Sequence, residues 1–271
     1  MARKKSVLVV TAHADDMEFM AAGTIARLVF EKGYDVYEYI LTDNSKGSYR
    51  LPPHELVEIS AREALEAGRV LGLKEVRFGE YPDGLLNETP PNILREKIMA
   101  VIREVRADIV MSWDPFAPCE EHPDHRMVAM ATLEAASFSG NPLFHPEHAH
   151  EPYTTTEAYW FAKYPWNAEL FVDITTTMDK KIEALLKHDC QMAFTVNSMI
   201  AEAEVLGLEL PALRDLGPRG HLALVEAGVR RFWAAVGDKA GMTYAEQFRY
   251  EKLGMLDMAL GAAFVEPDFA F

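Results

Sequence analysis

Residues 6–12 read Ser-Val-Leu-Val-Val-Thr-Ala, an apolar, β-branched run with no alternation, and they lead directly into His13-Ala14-Asp15-Asp16-Met17-Glu18. A strand can be apolar at every position only when both of its faces are covered, which is the condition of a parallel sheet with helices on each side. The next residues fit that condition. After a polar turn over His13 to Glu18, the segment Ala21 to Lys32 carries Ile25, Leu28 and Val29 at helical spacing and stops at Gly33. The alternation then repeats. Asp35 to Leu41 reads as a strand, Pro53 to Leu71 as a helix stopped by Gly72, and Val76 to Phe78 as a short strand. Pro91 to Val105 reads as a helix, Asp108 to Ser112 as a strand, Trp113 to Glu121 as a loop and Pro123 to Ser137 as a helix. The fold class predicted is α/β, a Rossmann-like parallel sheet flanked by helices, with ligands at the carboxyl ends of the strands.

Beyond residue 138 the rhythm changes. Gly140 to Pro152 is rich in Pro and His and reads as loop. Two short strands follow, Glu157 to Phe161 and Leu170 to Ile174. Thr175, Thr176 or Thr177 is placed to cap a helix from Met178 to about Met192, with further helices over Val196 to Leu206 and Leu222 to Ala235. The expected organisation is a Rossmann-like core over 1–138 carrying the site and an α+β C-terminal elaboration over 139–271 packed on the same core. No repeat, low-complexity tract or Gly/Ser linker separates the two.

Composition narrows the partners. The chain of 271 residues is 49% hydrophobic and 25% charged, the balance of a soluble globular protein long enough to bury a substantial core. Its formal net charge of -15 is a poor basis for gripping phosphate backbones, so nucleic acid is excluded as an expected partner. The basic start, Met1 to Lys5, is followed by an apolar run too short for a signal-peptide core or a membrane span. The two cysteines, Cys119 and Cys190, have no context that suggests a bridge, and a reducing, cytoplasmic compartment is expected.

Two segments carry chemistry. His13 and Asp16 stand three residues apart on a tight turn after the first strand, where an imidazole and a carboxylate can reach one metal ion while Asp15 is left to face whatever the ion binds. His122-Pro123-Asp124-His125 follows the fourth strand and opens a helix. In a doubly wound sheet the two strand ends can converge. Two His and one Asp would leave a fourth zinc position open for water, as in catalytic sites. Either segment alone is equally compatible with helix capping, by Asp15 or Asp16 at one helix and Asp124 at the other.

At these residues the sequence resembles the LmbE-like, or PIG-L, superfamily of zinc-dependent N-deacetylases, which carry a His-Pro/Ala-Asp-Asp-x-Glu motif and a later His-Pro-Asp-His motif. The family order also takes in Gly23-Thr24-Ile25, Arg62, Pro82-Asp83-Gly84, Val172-Asp173-Ile174-Thr175 and Tyr244-Ala245-Glu246. The resemblance implies one zinc ion per chain held by His13, Asp16 and His125. It implies Asp15 as general base, Asp124 as the partner that orients a histidine, and His122 as a protonatable group near the oxyanion or leaving group. It implies a small-molecule substrate, an N-acetylated amino sugar or its conjugate, and a homo-oligomer. A metal-dependent hydratase of a small unsaturated carboxylic acid, anchored by Arg50 or Arg62, and a hydrolase of another amide are the alternatives.

The remaining candidates have two readings each. Arg62 is matched to a family arginine at the site mouth, or is an exposed partner of Glu58 or Glu66. Asp43 and Asn44, after the second strand, could bind substrate hydroxyls or serve the turn. His145, His148 and His150 form either a second metal site or a surface loop. His188 lies in Lys187-His188-Asp189-Cys190-Gln191, a segment resembling a family His-x-Ser-Gln, and is expected in the core or behind the site. Ala14 in place of Pro, Cys190 in place of Ser and Gln247 in place of Gly are departures from the family pattern.

Overall fold

Strand β1 (Ser6–Thr11) is buried along its whole length. Its side chains alternate between two cores, Val7 and Val9 on one face of the sheet and Leu8 and Val10 on the other, which is why its four central residues are all apolar. It pairs in parallel with β2 (Asp35–Thr42) on one side and β4 (Ile109–Trp113) on the other. Outside these lie β3 (Glu75–Tyr81), parallel to β2, and β5 (Glu157–Phe161), parallel to β4. Among the described residues, two further strands, β6 (Leu170–Asp173) and β7 (Ala245–Lys252), extend the sheet to seven strands in the order β3-β2-β1-β4-β5-β7-β6. β7 is antiparallel to both β5 and β6. The computed structural model describes residues 4–208, 213, 216–256, 259, 267 and 269, so the first three residues of the basic start lie outside the described residues.

Helices cover both faces. α4 (Pro91–Val105) and α5 (Pro123–Phe138) bring Leu94, Ile98, Ile102, Val128 and Ala135 onto Leu8, Val10 and Val110. The opposite face carries α1 (Asp16–Met20), α2 (Ala22–Phe30), α3 (Pro53–Leu71), α6 (Met178–Leu185), α7 (Asp189–Val205) and α8 (Pro218–Asp238). That core joins Ile25, Leu28 and Leu71 to Ile182, Val196 and Trp233. α3 ends as its sequence suggests, with Gly72 at φ 70°, a conformation that costs glycine little, and its N–H closing on the last helical turn.

Four details differ from expectation. The residues after β1 do not stay a turn, because Asp16 to Met20 wind into α1. The helix expected over Met178 to Met192 is broken: α6 stops at Leu185 and α7 starts at Asp189, so the fully buried His188 sits at the joint. The helix expected from Val196 is the second half of the longer α7. Strand β7 was not foreseen, since Ala-Glu-Gln-Phe-Arg-Tyr-Glu-Lys looks like an exposed segment. Its Glu246 is nevertheless fully buried. Glu246 accepts hydrogen bonds from the Gly23 and Thr24 N–H groups at the start of α2, and pairs at 2.7 Å with Lys181 of α6. Lys181 also donates to the Phe19 carbonyl, and Trp233 lies beneath its ammonium.

The strand order reverses at β1. β2 and β3 run off to one side and β4 and β5 to the other, so the carboxyl ends of β1 and β4 border an open crevice. Both histidine motifs begin there.

Candidate active site

His13 leaves the end of β1, and His122 to His125 form the start of α5 after β4. Within the crevice His13 Nδ1 lies 3.2 Å from His125 Nε2, and Asp16 Oδ1 lies 3.6 Å and 3.3 Å from these two nitrogens. Three donors about 3.3 Å apart are spaced as three corners of a tetrahedron whose metal–ligand distances are about 2.0–2.1 Å. The residues therefore fit a zinc-sized dication. A cavity of about 320 Å³ adjoins them, lined among others by Asp15, Phe19, Lys46, His122, Gln191 and Phe194.

Each donor is held by its neighbours. Asp16 Oδ2 accepts from the Ala12 and His13 N–H groups and from Trp113 Nε1, all at 2.9 Å, which turns Oδ1 alone toward the histidines. His125 Nδ1 lies 2.9 Å from Glu120 Oε1, and the Trp113 ring stacks on the imidazole at 3.8 Å between centroids. A carboxylate accepting the Nδ1 proton leaves Nε2 as the lone-pair nitrogen, the tautomer a metal requires. His13 Nε2 is 3.2 Å from Asp83 Oδ1 and 3.5 Å from Asp124 Oδ2. Asp124 is itself buried and accepts from the Gly84 and Leu86 N–H groups. It thus ties the 82–86 loop against His13 instead of stabilising its own helix start. That start is capped by His122, whose Nδ1 accepts from the Asp124 N–H at 3.2 Å.

The electrostatics follow from this packing. Burial lowers the His13 and His125 pKa values, but the surrounding carboxylates outweigh it. For His13 these are Asp124, Asp16 and Asp83, and for His125, pushed up to about 9, they are Asp16 and Glu120. The same pairing holds Asp16 well below the usual carboxylate range although burial opposes it. Asp15, one residue away, moves the other way: burial and the charge of Asp16 raise it to about 6. Asp15 occupies the N-cap position of α1 yet makes no capping hydrogen bond, so its side chain is not spent on the helix. Burial lowers His122, and the charges of His13 and His125 lower it further. That disfavours a cationic form of the protonatable group the resemblance implied. With Nδ1 taken by the Asp124 N–H, His122 is a neutral ring presenting Nε2–H.

The other candidates land differently. Asn44 is buried and its Oδ1 accepts from the Ala14 N–H, so it pins the motif turn while bordering the cavity. Asp43 Oδ1 accepts from the Ser45 and Asp83 N–H groups and braces two loops. Arg62 is exposed on α3 and does not line the cavity. His148 has both ring nitrogens engaged, Nδ1 at 3.1 Å from Arg103 and Nε2 at 3.0 Å from Glu96, so the His145 cluster acts as a clasp on α4. Sequence reading gave no site role to Glu120, to Asp83 of the Pro82-Asp83-Gly84 segment or to the α7 wall of Gln191, Phe194 and Thr195. Gly47 lets the loop after β2 lie on that wall, since a Cβ there would stand 2.6 Å from Gln191 Nε2.

Comparison with known proteins places this arrangement. Residues 8–136 match the family described as PIG-L: GlcNAc-PI de-N-acetylase. The diacetylchitobiose deacetylase of Thermococcus kodakarensis is 33% identical over 192 residues, covering 69% of this chain and 70% of that protein. The 4-oxalmesaconate hydratase of Pseudomonas putida is 27% identical over 201 residues, covering 67% and 72%. Among solved structures, an N,N'-diacetylchitobiose deacetylase from Pyrococcus horikoshii in complex with its inhibitor MPG superposes with a TM-score of 0.75 at 26% identity, covering 94% of this chain and 88% of that one. With its two histidine motifs converging at one strand-order reversal, the chain belongs to the PIG-L, or LmbE-like, family.

Proposed function

We propose that the protein is a zinc-dependent hydrolase, with one ion per chain, that removes the acetyl group from an N-acetylated amino sugar or its conjugate. The observation that carries this reading is the triangle of His13 Nδ1, His125 Nε2 and Asp16 Oδ1, with Asp15 and His122 on the same cavity. Zinc held by those three residues would supply Lewis acidity and bring the pKa of water down to about 7. The chain's own groups do the rest. Asp15 takes a proton from the attacking water as the new C–O bond forms, and returns it to the nitrogen as the amide C–N bond breaks, leaving acetate and a free amine. His122 donates its Nε2–H to the carbonyl oxygen that gains charge, a role a neutral imidazole can fill. Asp124 holds His13 and, through its N–H, His122.

The cavity wall suits a pyranose. Phe19, Met20, Trp113 and Phe194 offer apolar surface, while Lys46, Gln191 and Thr195 offer hydrogen bonds to hydroxyls. A hydratase acting on an unsaturated diacid would call for a cationic anchor, and Arg50 and Arg62 lie off the cavity. Among the described lining residues Lys46 is the sole Lys or Arg, which favours the amide substrate. The unbridged Cys119 and Cys190 support a reducing, cytoplasmic compartment. The family resemblance supports a homo-oligomer. Purified protein reconstituted with zinc is expected to bind one ion and to release acetate from N-acetylglucosamine or N,N'-diacetylchitobiose. Failure to retain a divalent ion, or acetate release from neither sugar, overturns the proposal.

A further inference from the structure

The second half of α8 carries Phe232, Trp233 and Val236, with Lys239 just past its end, at a spacing that puts all four on one face. Part of that face stays open. Between it and the loop after β5 (Lys163, Tyr164, Pro165) lies a cleft of about 340 Å³, lined also by Gln247 of β7. It shares no described lining residue with the histidine cavity, and its volume falls within the roughly 300–1,000 Å³ of small-molecule sites.

The walls are held in place. Trp233 and Val236 belong to the core, and Phe232 packs against it and meets the Trp233 ring edge to face at 4.9 Å. Trp233 Nε1 donates to the Phe19 carbonyl at 3.2 Å. Gln247, one of the departures from the family pattern, donates its Nε2–H to the Ala168 carbonyl at 2.8 Å. Little ordering is therefore needed when a ligand enters. The charges select the occupant. Each wall brings one ammonium, Lys163 from the loop and Lys239 from the helix end, and no Asp or Glu is among the described lining residues. In a chain with 42 acidic residues against 27 Lys and Arg, that is the reverse of the surface at large. Lys4, Lys5, Lys74, Lys97, Lys180 and Lys181 each pair with a carboxylate at 3.2 Å or less. Among the described residues neither Lys163 nor Lys239 does, and the Lys163 ammonium lies over the Tyr164 ring. The matching ligand has an apolar body for the walls and an anion for the two ammoniums. A singly charged carboxylate suits such walls better than a phosphate, because a dianion loses more hydration against them.

We propose that this cleft is a binding site for a compact apolar carboxylate, separate from the histidine cavity. It uses none of that cavity's residues, so it stands or falls independently of the deacetylase reading. The test is calorimetric titration of the zinc-reconstituted chain with 2-naphthoate and with 2-naphthamide, its uncharged counterpart. The wild type is expected to bind one naphthoate in the cleft and to bind the amide about tenfold more weakly. Lys163 and Lys239 are both exposed, so Lys163→Gln combined with Lys239→Gln leaves the fold intact. The double variant is expected to lose about tenfold in naphthoate affinity, within what two exposed ion pairs contribute, and to keep its affinity for the amide. Ala235→Trp sets a ring into the cleft from an exposed position on α8 and is expected to abolish binding there with an unchanged Tm. Absence of saturable naphthoate binding to the wild type overturns the proposal. So does an amide that binds as tightly as naphthoate, or an unchanged naphthoate affinity in the double variant. Undiminished naphthoate binding by a folded Ala235→Trp places the carboxylate at the zinc instead and also overturns it. If Ala235→Trp does not fold, the double variant decides the matter alone.

Discussion

Asp15 and Asp16 are neighbouring carboxylates in opposite surroundings. Asp16 has one oxygen held by three N–H donors and the other turned to two imidazoles, whereas Asp15 faces the cavity with no capping bond. Asp16→Ala is expected to lose bound zinc, because the remaining histidines lack the anionic ligand that offsets the dication. Asp15→Asn is expected to keep zinc while turnover falls about 100-fold or more, the usual contribution of a positioned base. Metal content and turnover measured on both variants check the pair, and equal zinc loss in the two would show the roles are misassigned. Glu120→Gln removes the anion behind His125 and is expected to weaken zinc affinity about 10- to 100-fold, read by competition with a chromogenic chelator. The grouping of His13, Asp16 and His125 is legible from two local motifs. Glu120 is not, because an acidic residue in an irregular loop has no periodicity to say which way it points, and Arg62 shows the converse, a residue whose matched position does not bring its side chain to the cavity.

At the scale of elements, β1, β4 and β5 follow from apolar runs because burial on both faces leaves a strong signal, whereas the edge strand β3, with no buried residue, shows only over Val76 to Phe78. β7 leaves none. Its buried Glu246 is polar in sequence and becomes a core residue only because Lys181 and two helix N–H groups meet it. The break at His188 is hidden for a similar reason, as the apolar spacing continues on both sides of the joint. The Lys181 pair makes the dependence measurable. Lys181→Met leaves a buried carboxylate without its cation and is expected to cost about 3–5 kcal/mol. Glu246→Leu should cost more, because it strands the ammonium and the Gly23 and Thr24 N–H groups together. Urea denaturation of the two variants tests this order, and a neutral Lys181→Met would show that the pair is not a structural tie.

For the whole molecule, the histidine site links metal content to pH. Burial opposes protonation of His125, yet Asp16 and Glu120 raise its pKa from 6.5 to about 9, so in metal-free protein the stabilisation is fully present below pH 6.5 and is lost as pH rises through 9. His13 shifts in the same direction. Zinc binds the unprotonated rings, so the loaded protein is free of that loss, and the gap in Tm between loaded and metal-free protein is expected to widen from pH 6.5 to 9. Calorimetry at several pH values measures it, and a gap that stays flat or narrows would contradict the pairing. The tie between Glu246 and the start of α2 also sets an order in time. Every proposed ligand is synthesised within the first 125 residues, but the carboxylate that fixes the helix just beyond the His13 turn is made more than 200 residues after it. A nascent chain thus exposes metal-binding side chains well before it can hold them in their final spacing, and contacts of such long range form late. In the cell, loading of the ion is therefore expected to follow completion of the sheet by β7, and a ribosome-bound chain ending before Glu246 should exchange its metal much faster than the released protein.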